Sequence, residues 1–170
     1  MRLYSGKVSA IASESVKILL ADGDIETTSP KEVELDVAAV LASYVKSEQE
    51  ANDAAKDYLQ KHNLGQNEFN RVKRVTAEQK GIKTGEDTLD YLLDQVVEML
   101  FHSSNVDEVF AEDHVLRRKM APVFKKHMAA DEELEREVRG QLRHMQEGTR
   151  TWEVEYQRVM ADIKRRKGLG

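Results

Sequence analysis

Apolar residues recur along this chain at helical spacing, and they do so twice in the same order. Ile11, Val16, Leu19 and Leu20 form one short stripe; Leu92, Val97, Leu100 and Phe101 form another 81 positions later. Both predict short amphipathic helices, each followed by a polar turn, Gly23 to Glu26 in one case and Ser104 to Asp107 in the other, at that same offset. A longer helix follows the first turn, with Ser29 as N-cap, Pro30 at the first helical position and Glu32 closing a capping box. Its apolar series Val33, Val37, Val40, Leu41, Ala51, Ala55 and Leu59 matches Leu116, Met120, Val123, Phe124, Leu134, Val138 and Leu142 at an offset of 83. These long helices are expected over Ser29 to about His62 and from near Asp113 to Met145. A third helix closes each stretch. There Glu68, Phe69, Asn70, Arg71 and Val72 match Glu155, Tyr156, Gln157, Arg158 and Val159 at an offset of 87, and Gly81 and Gly168 mark the two ends.

Offsets that drift from 81 through 83 to 87 put the insertions between helices, where loops tolerate them. The expected fold is all-α: two tandem copies of a three-helix unit, residues 1–81 and 82–170, packed about a pseudo-two-fold axis as one helical domain. Each unit alone leaves an apolar face that its twin can cover. Composition agrees, with 40% apolar and 34% charged residues and only 2 Pro and 9 Gly in 170 residues. That mix favours long solvated helices and allows a sizeable core. Pro122, opposite Ala39 of the first copy, falls in the middle of the second long helix; it either kinks that helix or begins a new one. Trp152, Tyr156, Val159 and Ile163 share one face of the last helix, which predicts that this helix packs inward.

Several strings carry a family resemblance. The opening Met1, Arg2, Leu3, Tyr4, Ser5, Gly6, Lys7 and Val8, the run NVDEVF from Asn105 to Phe110, LRRKM from Leu116 to Met120, and GTRTWEVEYQRV from Gly148 to Val159 make the chain similar, end to end, to a bacterial family known as domain of unknown function 507. The resemblance implies a helical, bacterial, cytoplasmic protein. It brings no catalytic residues with it.

Chemistry is sparse. The chain has no cysteine, which removes disulfides, thiolate metal sites and thiol catalysis and points to the cytoplasm. Arg2, Lys7, Glu14 and Lys17 interrupt any leader-like apolar run, and the best uncharged stretch, Val37 to Val45, is far short of the roughly 20 residues of a membrane span. No membrane contact is expected. Asp90, Asp94, Glu98 and His102 lie four apart on one helical face, but that face is largely opposite Leu89, Leu92, Leu93, Val96 and Leu100, so it reads as a solvated acidic surface rather than a metal site. His62, His114, His127 and His144 show no zinc spacing; His127 falls in the apolar register, equivalent to Tyr44, and reads as a hydrogen-bonded core imidazole. Nucleophile-elbow, phosphate-loop and dinucleotide fingerprints are missing from the sequence, so no enzyme activity and no cofactor are expected.

Charge supplies the one asymmetry with functional promise. The net charge is −5, yet Leu64 to Lys83 carries five basic residues against two acids and Thr149 to Gly170 six against three, net +3 each, leaving −11 for the rest. Arg71, Lys73, Arg74, Arg158, Lys164, Arg165, Arg166 and Lys167 are the candidate contacts for phosphate or for a protein partner. The basic helices can dock on an acidic surface of the same or another molecule, or bind nucleic acid or a ribonucleoprotein. The first reading makes the chain a non-enzymatic scaffold or adaptor that meets a protein partner or itself. With no metal-ligand set to hold the fold, EDTA is expected to leave the melting temperature unchanged; a large drop would reveal a structural metal, since its binding energy contributes directly to folding.

Overall fold

The computed structural model describes residues 2–146 and 149–167, with the side chains of all of these except residues 130–132. Among the described residues six α-helices and one short pair of strands follow in the order α1 (Val8–Ala21), β1 (Ile25–Glu26), α2 (Pro30–Lys61), α3 (Phe69–Gln79), α4 (Thr88–His102), β2 (Glu108–Val109), α5 (Asp113–Gln141) and α6 (Arg150–Arg166). The protein is mostly helical, with a minimal antiparallel ladder pairing Ile25 with Val109 and Glu26 with Glu108.

The short helices α1 and α4 form the centre. Each buries one stripe, Ile11, Ala12, Ser15, Val16 and Leu19 on α1 and Leu92, Leu93, Val96, Val97 and Leu100 on α4. Both pack against α2 and α5. The main core runs along α2 from Val33 to Ala51 and along α5 from Leu116 to Met128, and its largest fully buried side chain is Phe124.

Length decides what happens next. At 1.5 Å per residue, α2 and α5 are about 48 and 43 Å long against about 21 Å for α1, so both outrun the central body. Each overhang is covered by the helix that follows it. Ala55 and Leu59 of α2 close on Val72 and Phe69 of α3. Leu134, Val138 and Leu142 of α5 close on Trp152, Val159, Met160 and Ile163 of α6. Two arms result, each with a small core separate from the body. Trp152 is only 7% exposed and Ile163 1%, so α6 does pack inward.

Three local expectations change. Ser29 sits at the N-cap and Pro30 in the first turn, but the capping box does not form: among the described residues the Ser29 side chain accepts no bond from the first turn, and Thr27 Oγ1 instead accepts from the Ser29 N–H at 2.9 Å while donating to the Asn105 carbonyl. That ties the start of α2 to the loop after α4. Ile25–Glu26, read as part of the first polar turn, forms a strand whose partner Glu108–Val109 lies beyond the second turn at Ser104 to Asp107; five residues separate α4 from β2 against three between α1 and β1. No new helix begins at Pro122, since α5 continues through it from Asp113 to Gln141. The proline has no N–H to offer the carbonyl four residues back, and burial of Met120, Val123 and Phe124 around it offsets that loss. Gly81 ends α3 with φ +77°, a left-handed C-terminal cap in which Ile82 N–H reaches Ala77 O. Gly168, proposed to end the last helix, lies outside the described residues.

Because α6 rests on a core of its own, Trp152→Ala should cost about 3–5 kcal/mol. The urea midpoint should fall, and α6 amides should exchange faster while those of α1 and α4 keep their protection. Arg165→Ala with Arg166→Ala should change stability by less than about 0.5 kcal/mol. An unchanged midpoint for Trp152→Ala would mean that the second arm does not depend on its aromatic anchor.

Candidate functional site

Past Tyr44, the inward stripe of α2 continues with Glu48 and Asn52, two polar residues at positions that helical spacing turns toward the core. Glu48 is 4% exposed. A carboxylate so buried needs a cation, and it has two: Arg2 Nε and Lys73 Nζ each lie 3.2 Å from Glu48 Oε1. The Arg2 guanidinium also approaches Glu135 of α5, at 3.6 Å, so one residue of the N-terminal segment connects both long helices. Tyr4 donates its hydroxyl to Glu135 Oε2 at 2.5 Å, and Arg139 Nη2 lies 3.1 Å from Oε1 of the same carboxylate. Arg2 stands over the Tyr4 ring at 5.1 Å and Arg139 over the Trp152 ring at 5.7 Å, while Trp152 and Tyr156 stack at 4.9 Å.

These residues floor a cleft of about 570 Å³ between the two arms. Gln49 and Asn52 of α2, Asn70 and Lys73 of α3, and Gln157, Met160 and Lys164 of α6 line it. Lys56 of α2 meets Glu153 of α6 at 2.8 Å, a second link between the arms.

The electrostatics follow from this packing. Burial works to raise Glu135, but the Tyr4 hydrogen bond and the charges of Arg2 and Arg139 outweigh it and hold the carboxyl below its ordinary range. Burial, with the bond to Glu135, pushes the Tyr4 phenol far above its usual value. Burial also opposes the charge on Arg2, yet Glu48 foremost overrides it and the guanidinium is held charged more firmly than in water. Tyr4 is therefore a locked donor and Glu135 a locked acceptor at neutral pH. Neither is poised to exchange protons with a substrate, so the arrangement suits binding and positioning.

The structure divides the eight predicted basic residues into three groups. Arg71 pairs with Glu68 at 2.6 Å, Arg158 with Glu155 at 2.7 Å, and Arg165 with Asp162 at 2.5 Å, all within their own helices or first turns. Lys167 pairs with Glu137 of α5 at 2.8 Å. Lys73 and Lys164 line the cleft. Arg74 and Arg166 are exposed on the outside, with Arg166 near Glu137. One continuous basic face does not result.

Of the acidic stripe, Asp90, Glu98 and His102 are exposed and Asp94 pairs with Arg117 of α5. His127 is half-buried and meets Glu14 of α1 at 3.1 Å. No group of three metal-binding side chains occurs among the described residues. Sequence reasoning missed Arg2, Tyr4, Glu48, Asn52, Glu135 and Arg139. Glu48 and Asn52 were detectable as polar residues inside an apolar register; nothing local marks Arg2 and Tyr4, whose partners are distant in the chain.

Fold and cleft together define a mostly helical protein with two arms around a polar groove. A family model described as protein of unknown function (DUF507) matches residues 1–169, and the chain belongs to that family. No curated protein gives a significant match. Among the described residues no helix is long and apolar enough to cross a membrane.

The Tyr4–Glu135 pair sets opposite pH limits. The folded pKa of Glu135 lies below its unfolded one, so its contribution is present above about pH 4.3 and is lost as pH falls through the folded value. The folded pKa of Tyr4 is raised, so its contribution is present below about pH 10 and declines as pH rises beyond that. Tyr4→Phe should cost about 1–3 kcal/mol at neutral pH by leaving a half-buried carboxylate short of a donor. Glu135→Gln should flatten the fall in melting temperature on acidification. An acid limb as steep as in the wild type would remove Glu135 from this role.

Proposed function

We propose that this chain is a non-enzymatic, cytoplasmic adaptor built from two tandem helical copies, residues 1–81 and 82–170, that holds a protein partner in the cleft between its arms. Several observations support the duplication. The buried stripes of α1 and α4 correspond at a constant offset of 81, and those of α2 and α5, from Val33 and Leu116 to Leu59 and Leu142, at 83. β1 and β2 correspond at 83 and pair with each other, an antiparallel register that is unchanged when the two strands are exchanged. The cleft follows the same rule: Lys56 and Arg139 correspond at 83, and Phe69 with Tyr156 and Asn70 with Gln157 at 87. A pseudo-two-fold axis through the groove accounts for all of these pairs. Absence of cysteine fits a reducing compartment.

The observation that carries the adaptor reading is the open cleft itself, held between two arms with separate cores and floored by buried charges that already satisfy one another. Among the described residues such a surface presents no cluster able to hold a metal ion. The nucleic-acid reading fares worse here. Of the five cations that line the cleft, Arg2, Lys56, Lys73 and Arg139 are engaged by carboxylates. Drawing Arg2 and Lys73 onto phosphates would leave Glu48 buried and unpaired, at about 3–5 kcal/mol. Phosphate binding would fall instead to Arg74 and Arg166 on the outer faces.

Capture from an extract of the native cells discriminates the two. The cleft-filling substitution Asn70→Trp, on the exposed rim, should abolish capture of protein partners, whereas Arg74→Ala with Arg166→Ala should leave it intact. The reverse pattern, with salt-sensitive nucleic acid recovered and lost on removing the outer arginines, would replace the adaptor reading.

A further inference from the structure

Asn52 is 7% exposed and lines the cleft, yet its Oδ1 has no hydrogen-bond partner among the described residues. A buried acceptor left unmet costs stability unless something supplies a donor. The carboxamides of Asn70 and Gln157, both exposed and one from each arm, line the same cleft. A carboxamide offers a donor and an acceptor on adjacent atoms, as a peptide unit does, so a row of them matches a polypeptide backbone. Sugars and bases would use the aromatic faces instead, but Trp152 is 7% exposed, stacked on Tyr156 and overlaid by Arg139. It offers no open platform. Among the lining cations, Lys164 alone has no carboxylate partner among the described residues, and it stands half-buried on α6. It can take one carboxylate without disturbing the network below.

Resting on the adaptor reading above, we infer that the occupant of the cleft is an extended, acidic peptide segment. The carboxamides of Asn70 and Gln157 bond its peptide units, one of its Asp or Glu side chains pairs with Lys164, and rotation of the Asn52 side chain, whose Oδ1 is buried beneath the lining, brings that unmet acceptor to a backbone N–H of the segment. Five cations against three carboxylates along the lining add a field that favours a negative ligand.

The test selects a displayed random peptide library on the full chain and measures the best peptide, blocked at both ends, through the fluorescence of Trp152, the single tryptophan. Selected sequences should be rich in Asp and Glu. Binding should weaken at least about tenfold in Lys164→Glu, equivalent to about 1.4 kcal/mol, and similarly in Asn52→Leu. Because Asn52→Leu removes an unmet polar atom from a buried position, its melting temperature should hold or rise, which separates a ligand contact from a structural one. Three results would overturn the inference: no peptide selected, a neutral or basic consensus, or affinity indifferent to both substitutions. An oligouridylate that shifts Trp152 fluorescence where peptides do not would assign the cleft to nucleic acid. A basic consensus still lost in Asn70→Trp would reject the acidic ligand while leaving the adaptor reading standing; partner capture unaffected by Asn70→Trp would reject that reading itself.

Discussion

Two helices of about 48 and 43 Å cannot be covered by neighbours of about half that length, and the architecture is what solves this mismatch. The first halves of α2 and α5 bury their stripes against α1 and α4. Their second halves are still amphipathic, so each requires a further helix, and α3 and α6 supply it. The two overhangs carry separate cores, so among the described residues no single buried apolar cluster joins the arms to one another. The gap between them stays open and polar, and it becomes the cleft.

What spans that gap is electrostatic. Arg2 touches Glu48 of one long helix and Glu135 of the other, Tyr4 adds a hydrogen bond to Glu135, and Lys56 reaches Glu153 across the opening. The inner contacts are partly desolvated and hold their charge states firmly, as the depressed Glu135 and elevated Tyr4 attest. The Lys56–Glu153 pair is more exposed and contributes little on its own, about 0–1 kcal/mol. Spacing of the arms therefore rests on the N-terminal segment, and the outer pair trims it.

The basic third helices illustrate how surface charge misleads when read without neighbours. Arg71, Arg158 and Arg165 looked available in the sequence, yet each has a carboxylate one helical turn away or less, at i−3 or i+4. That spacing was visible in advance and argues for local pairing. Lys167 finds Glu137 on another helix, which no spacing rule reveals. Lys73 and Lys164 came to matter through position, since both line the groove, whereas Arg74 and Arg166 remain on the outside.

Periodicity alone determined the helices, their inward faces and the burial of Trp152, because those follow from a repeat of 3.6 residues acting within one segment. The starts of the long helices near Ser29 and Asp113 were legible for the same reason, and so was the inward place of His127. Continuity through Pro122 was not, since it depends on how much core surrounds the break in hydrogen bonding. The bond from the Thr27 hydroxyl to the Asn105 carbonyl, the pairing of β1 with β2 and the bridging of Arg2 and Tyr4 between α2 and α5 were decided by tertiary structure. Each joins residues roughly 45 to 135 positions apart through directional bonds that have no period in the sequence. Glu48 and Asn52 stand between the two cases: the helical register placed them inside, and only the folded arrangement of Arg2, Lys73 and the cleft gave one of them its counter-charges and left the other with an unmet acceptor.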